Sequence, residues 1–323
     1  MASGTNWTLN PGSTDVNTSR NISRKAFCGL LFGLAAFAAA PLAAAPVTVK
    51  HASGETTLKD TPKKIVVFDL ASLDNLDALG VPVAGVPSGV KPAWLQKYND
   101  DKVTKVGTLF EPNLEALAAL QPDLIIVGGR SQAKYAELSK LAPTIDMTID
   151  TKAPFASARA HITTLGKTFG KEDAAKKLVA DLDAGVAQLK EKAQAAGKGL
   201  LILTVANRMS AYGPGSRFGV IHEAFGVTPA VPDLKIGTHG QPVTFEFIQK
   251  TNPDWLFVID RDAALGKTGN ARKMLDNDLV GQTTAWKKNQ VVYLDPANWY
   301  LVGGGATALK QDIDQLNKAF GGK

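Results

Sequence analysis

Glu115-Ala-Leu-Ala-Ala-Leu-Gln-Pro122-Asp123-Leu-Ile-Ile-Val-Gly-Gly-Arg130 returns 131 residues later as Glu246-Phe-Ile-Gln-Lys-Thr-Asn-Pro253-Asp254-Trp-Leu-Phe-Val-Ile-Asp-Arg261. Both read Glu, six residues, Pro-Asp, six residues, Arg. In each copy a helical segment, Asn113–Leu120 or Glu246–Lys250, runs into the Pro-Asp pair, where proline has no N–H to continue a helix. An apolar run of strand length follows, Leu124–Val127 or Trp255–Ile259, and an arginine stands just past its end. Four matching positions at one offset mark an internal repeat.

The openings of the two halves also correspond. Ile65–Phe68 and Leu200–Val205 both read as buried strands, and Leu79-Gly80-Val81 is answered by Phe225-Gly226-Val227. In the first half Ser72–Leu79 reads as a helix closed by Gly80, with Val83–Val86 as the next strand. Strands alternating with helices in two copies predict an α/β fold of two similar α/β lobes, with ligand expected at the carboxyl ends of their strands. Between the copies, Ala175, Leu178, Val179, Leu182, Val186, Leu189 and Ala193 recur at three-and-four spacing within Glu172–Ala196, and Gly197 follows. That is one long amphipathic helix, which at 1.5 Å per residue spans roughly 35–40 Å and joins the lobes as a strut. The expected division is a leader over residues 1–45, an amino-terminal lobe over 46–170, a connecting helix over 171–198 and a carboxy-terminal lobe over 199–323.

Within the leader, Arg24-Lys25 precede the uncharged run Ala26–Ala45, which ends in small residues: the n-region, h-region and cleavage zone of a secretory signal, with cleavage expected near Ala40–Ala45. Ser23-Arg24-Lys25-Ala26-Phe27 is similar to the twin-arginine motif with lysine as its second basic residue, so both export routes stay open. The single cysteine, Cys28, lacks the Leu-Ala-Gly that precedes a lipidated cysteine. The mature chain is then expected to be thiol-free and periplasmic, which excludes disulfides, thiolate zinc sites and a cysteine nucleophile.

The 323 residues exceed the ~250–300 at which single cores stop growing. A net charge of +6 is spread along the chain without a dense Lys/Arg tract, which suits a small anionic ligand and gives no nucleic-acid surface. No His-Glu-x-x-His, Gly-Lys-Ser/Thr loop or Gly-x-Ser-x-Gly elbow is present, so a metal-dependent hydrolase stands only as a remote alternative to a non-enzyme.

The lobe-helix-lobe order, the paired repeats, and the strings Gly213-Pro-Gly-Ser-Arg217-Phe-Gly219, Gly237-Thr-His239-Gly240 and Leu294-Asp-Pro-Ala-Asn-Trp-Tyr300-Leu301 resemble class III periplasmic binding proteins of the CeuE, FatB and YclQ type. The resemblance covers roughly residues 47–320. It implies a monomeric receptor for an iron(III)-catecholate siderophore such as enterobactin, delivering to an inner-membrane ABC permease and its ATPase, with no intrinsic cofactor. It places Arg130, Arg217, Arg261 and Lys134 against the siderophore, His239 and Tyr300 as donors to the iron, and Glu115 and Glu246 as the acids that dock to the permease. A haem receptor of the same fold is the alternative.

The chemistry agrees with these assignments. A ferric tris-catecholate carries a formal charge of about minus three, and guanidinium offers a permanent charge, a planar fork for catecholate oxygens and a face for aromatic rings. A chelator with only two catecholates leaves two of the six octahedral positions on iron open for a hard phenolate and an imidazole. Glycines beside His239 and the run Gly303–Gly305 after Tyr300 predict mobile loops there.

Overall fold

The chain of the computed structural model is described over residues 46–321; the expected leader, Cys28 and cleavage zone lie outside that range. A hairpin of β1 (Val47–His51) and β2 (Gly54–Leu58) comes first. Then β3 (Ile65–Val67), β4 (Gly85–Val86), β5 (Thr104–Lys105), β6 (Leu124–Val127) and β7 (Thr144–Asp146) form an all-parallel sheet of order β5-β4-β3-β6-β7. The second sheet is built from β8 (Lys198–Val205), β9 (Arg208–Tyr212), β10 (Thr228–Pro229), β11 (Gln241–Val243), β12 (Trp255–Asp260) and β13 (Val291–Tyr293). Its order is β11-β9-β8-β12-β13, with β10 also paired to β8.

Strands β3, β4, β6 and β7 of the first sheet thus have parallel counterparts in β8, β10, β12 and β13. The halves are not identical, however. The edge of β8 is shared: Lys198 and Gly199 pair with β10, while Leu201–Val205 pair with the antiparallel β9, on which β11 is added. That extension is absent from the first sheet and from the expectation of like topology.

Six α-helices of seven residues or more are described: α1 (Leu70–Ala78), α2 (Leu114–Leu120), α3 (Pro154–Thr168), α4 (Glu172–Ala195), α5 (Phe245–Thr251) and α6 (Ala306–Phe320). The long helix α4 agrees with its sequence reading to one residue, and Gly197 behind it has φ +107, a value that glycine adopts without strain.

The repeat has a local physical cause, identical in both halves. Asn113 and Thr244 cap α2 and α5 by accepting from the N–H groups of Ala116 (2.9 Å) and Phe247 (3.3 Å). Gln121 and Asn252 end those helices in the left-handed region, φ 50 and φ 44, and the following proline prevents resumption. Asp123 Oδ2 then accepts from the N–H groups of Lys63 (3.0 Å) and Lys64 (2.9 Å), and Asp254 Oδ2 from Lys198 N–H (2.8 Å). Each Pro-Asp pair therefore stops a helix and ties the turn to the start of the neighbouring strand. A side chain at Gly197 would bring Cβ within 2.5 Å of that Asp254 oxygen, so glycine is required there.

These bonds hold the Asp123 carboxyl below its ordinary pKa, the contacts to Lys64 and Lys63 being the main cause. A carboxyl depressed on folding stabilises above its unfolded pKa of ~3.9 and loses that contribution as pH falls through the lower folded value. Asp123→Ala is expected to cost about 1 kcal/mol at pH 7 and less at pH 2, measured as the shift in urea midpoint. An equal cost at both values would show that the carboxylate is not the cause.

Apolar packing joins the halves. The inner sheet faces share one buried cluster that takes in Val67 and Leu73 from the first half, Leu203 and Phe257 from the second, Leu189 of α4 and Leu309 of α6. The outer faces have separate cores, around Ile125 and around Leu256. The last helix returns to the first: Asn75 Oδ1 accepts from Ala306 N–H (2.8 Å), and Asp74 Oδ2 from Thr307 (2.9 Å) and Ala308 (3.0 Å), which caps α6 from α1. Asp74 is fully buried, and burial raises its pKa against these bonds.

Candidate functional site

The carboxyl ends of strands from both sheets meet on one side, and there the chain forms a cleft of about 1450 Å³. Arg130, Arg217, Arg261, His239 and Tyr300 all line it. Arg130 follows β6 by three residues and Arg261 follows β12 directly, as the repeat requires. Lys134 is not among the lining residues: its ammonium pairs with Glu111 at 2.9 Å and reaches Glu137 at 4.0 Å.

The arginines converge on one residue. Tyr300 sits in a π-helical turn, Ala297–Val302, a geometry that recurs at functional sites because it re-aims side chains. Arg130 donates to the main-chain carbonyls of Tyr300 and of Leu301, the latter at 3.3 Å, across some 170 residues of sequence. Arg217 donates to the same Tyr300 carbonyl at 3.1 Å, and Arg261 Nε donates to the Tyr300 hydroxyl at 2.8 Å. All three guanidiniums also lie over the Tyr300 ring, 4.9 to 5.7 Å from its centre.

This geometry decides the acidity of the phenol. Burial opposes ionisation of Tyr300, but the Arg261 hydrogen bond and the charges of Arg261, Arg130 and Arg217 outweigh it, and the pKa falls below its ordinary value. The same crowding acts on Arg217, whose pKa is drawn down by enclosure and then by the Arg130 charge, although its side chain is exposed to the cleft. No carboxylate within salt-bridge distance neutralises these guanidiniums among the described residues. The cleft accordingly carries positive charge that no paired carboxylate offsets.

His239 is exposed in the loop between β10 and β11 and lines the cleft from the second half of the chain. The remaining histidines are engaged elsewhere: His51 shares a hydrogen bond with Thr56 (2.9 Å), His222 Nδ1 lies 2.8 Å from the Val227 carbonyl, and burial pushes His161 down to about 4. The glycines after Tyr300 do not form the mobile loop expected of them. Gly303 and Gly304 are required by φ 44 and φ 103, and a Cβ at Gly305 would meet Asp74 Oδ2 at 2.3 Å, so the segment is pinned against α1.

Sequence reasoning missed several lining residues, notably Asp69, Phe110, Ile236 and Trp299. Asp69 had a usable signal, since it stands just past β3 as Arg130 stands past β6. Its carboxylate caps α1 by accepting from Ser72 N–H (2.8 Å) and Oγ (2.7 Å), and burial raises its pKa against those bonds and the Arg130 charge.

Glu115 and Glu246 are both exposed, at equivalent places in the first turns of α2 and α5. Since each helix leads into the next parallel strand, both first turns lie on the rim that carries the cleft. Bonds to Thr244 and to its own main chain lower the pKa of Glu246.

A family model described as periplasmic binding protein matches residues 65–297, a span that takes in both sheets and the cleft-lining arginines Arg130, Arg217 and Arg261. The chain belongs to that family. This binding protein is 46% identical over 275 residues to the petrobactin-binding protein YclQ of Bacillus subtilis, covering 84% of this chain and 87% of YclQ. The crystal structure of YclQ superposes with a TM-score of 0.83, covering 86% of this chain and 99% of that one. The ferric-anguibactin-binding protein FatB of Vibrio anguillarum is 35% identical, covering 85% of this chain and 88% of FatB. The crystal structure of the periplasmic catecholate-siderophore-binding protein VctP of Vibrio cholerae is 33% identical with a TM-score of 0.81, covering 84% of this chain and 98% of VctP. Members of this family are transport receptors. Among the described residues no helix is long and apolar enough to cross a membrane.

Proposed function

We propose that this binding protein captures an iron(III)-catecholate siderophore in the cleft and delivers it to an inner-membrane ABC permease and its ATPase, catalysing nothing. The observation that carries the reading is the convergence of Arg130, Arg217 and Arg261 on Tyr300. A trianionic complex meets three unneutralised guanidiniums in a partly desolvated site, where Coulomb attraction is stronger than in water. The relatives named for petrobactin, ferric anguibactin and catecholate siderophores support the ligand class. The receptor acts as a periplasmic monomer with no cofactor of its own, and the export signal belongs to residues 1–45.

Tyr300 has a second part in this proposal, as a donor to iron together with His239. The arginines that lower the phenol pKa reduce the cost of making the phenolate near neutral pH. A hexadentate tris-catecholate satisfies iron alone, whereas a tetradentate bis-catecholate needs two donors from the protein.

Tyr300→Phe and His239→Ala are therefore expected to weaken the ferric bis-catecholate by roughly tenfold or more, and the tris-catecholate by less than about twofold. Ligation by Tyr300 releases its proton, so the wild-type preference declines as pH falls. Fluorescence titration reads the affinities, and the catecholate-to-iron charge-transfer band reads the ligation. Identical bands in wild type and both variants would falsify direct ligation. A sharp Soret band on exposure to haem, with no response to ferric catecholates, would transfer the cleft to the haem alternative.

A further inference from the structure

Large apolar side chains left in water are uncommon here, and they are not scattered at random. Five are exposed among the described residues: Val90, Phe110, Leu114, Leu141 and Ile236. The two most exposed, Phe110 at 58% and Ile236 at 69%, both line the cleft, one from each half of the molecule.

Both are held out by local structure. Phe110 occupies the tip of a turn in which Thr108 Oγ1 accepts from the N–H groups of Phe110 (3.2 Å) and Glu111 (3.0 Å), while Thr108 N–H donates to the Glu111 carbonyl (2.9 Å). Gly107 at its base has φ +107, and a Cβ there would collide with that carbonyl at 2.3 Å. The turn is closed from within and presents the phenyl ring outward. Ile236 lies over Gly215, where an added Cβ would come within 2.8 Å of Ile236 Cδ1, and Lys235 N–H beside it donates to Gln241 Oε1 at 3.1 Å. An exposed aromatic and an exposed isoleucine on built turns, facing one cleft, are the pattern of a ligand surface.

We propose that Phe110 and Ile236 are two apolar flanks that cover the organic linker of the siderophore while the arginines hold its iron centre, so that the receptor selects ferric catecholates with an apolar linker. This rests on the cleft being a ferric-catecholate site. A ligand polar over its whole surface, such as a polyhydroxycarboxylate chelate, would leave both side chains wet and draw nothing from them. An apolar linker removes them from water together with its own methylenes.

The test compares two ferric bis-catecholates with the same linker and the same donors, one carrying a butyl group on the linker. Each is titrated against wild type, Phe110→Ala, Ile236→Ala and the double variant. Wild type is expected to favour the butylated complex by about tenfold, the share of four methylenes half removed from water. The double variant is expected to bind both complexes alike and each more weakly than wild type does, with each single variant between. Because both side chains are exposed, the variants are expected to melt with wild type.

A preference retained in the double variant, or no preference in wild type, overturns the proposal. So does unchanged affinity accompanied by lost uptake, which would assign the two residues to the permease-facing surface. Failure of wild type to bind either complex would instead reject the ferric-catecholate reading itself, and the two failures are thereby distinct.

Discussion

A protein with Arg130, Arg217 and Arg261 all replaced by alanine is expected to bind a ferric tris-catecholate roughly a thousandfold more weakly, about 4 kcal/mol. Each guanidinium alone is a charge-assisted partner whose loss costs about 1–3 kcal/mol. The sum falls short of additivity because all three act on one residue, Tyr300, and on one another. The empty protein is expected to melt within a few degrees of wild type. It loses the Arg130 contacts to the Tyr300 and Leu301 carbonyls, but it also loses the burial cost of the Arg217 charge and the Arg130 repulsion that together lower the Arg217 pKa. What disappears is the rise in melting temperature that ligand confers by mass action. Affinity within about threefold of wild type, in a folded triple variant, would place the anion elsewhere.

Glu115→Ala combined with Glu246→Ala is expected to abolish siderophore-dependent uptake while leaving the dissociation constant unchanged. Both acids are exposed on the cleft-bearing rim, outside the lining, at matching positions in matching helices. Paired acids on paired helices suit a transporter with two like subunits, each offering a cationic pocket. Their exposure means that removal leaves no buried group unpaired, so the fold and the cleft stay as they are. Each single variant is expected to retain partial uptake. Normal transport by the double variant, with wild-type amounts of receptor present, would make these two acids ordinary surface charge.

How much of this was legible beforehand follows from where each interaction lies along the chain. The repeat was readable because its causes are local: a cap three residues from the N–H that donates to it, a left-handed residue, a proline and an aspartate. Helix α4 was readable because one helix writes its buried face in its own periodicity. The extension by β9 and β11 was not, since the choice between β9 and β10 along the edge of β8 is made by pairing across the sheet. Nor was the capping of α6 by Asp74 and Asn75, residues more than 230 positions away.

The cleft divides in the same way. Arg130 and Arg261 could be placed because an arginine past a buried strand faces the carboxyl edge. That both Arg130 and Arg217 grip the carbonyl of Tyr300 could not be seen, because the acceptor is main chain and carries no sequence signal. Lys134 was named as a further cation for the ligand; it stands outside the cleft lining and pairs with Glu111. The glycines beyond Tyr300 read as slack, whereas Gly303 and Gly304 meet a positive φ and Gly305 gives clearance for Asp74.

The apolar cluster that runs unbroken from Val67 through Leu189 and Leu309 to Phe257 has a consequence for signalling across the transporter interface. A molecule whose halves are soldered along their inner faces behaves as a gauge block of constant width. Under the proposed docking, Glu115 and Glu246 would then be expected to keep nearly one separation in the loaded and the empty receptor, and shape alone would carry little news of cargo to the permease. Empty receptors would compete for the same docking pockets as full ones, and the number of copies in the compartment, set against the supply of siderophore, would govern how much iron enters the cell.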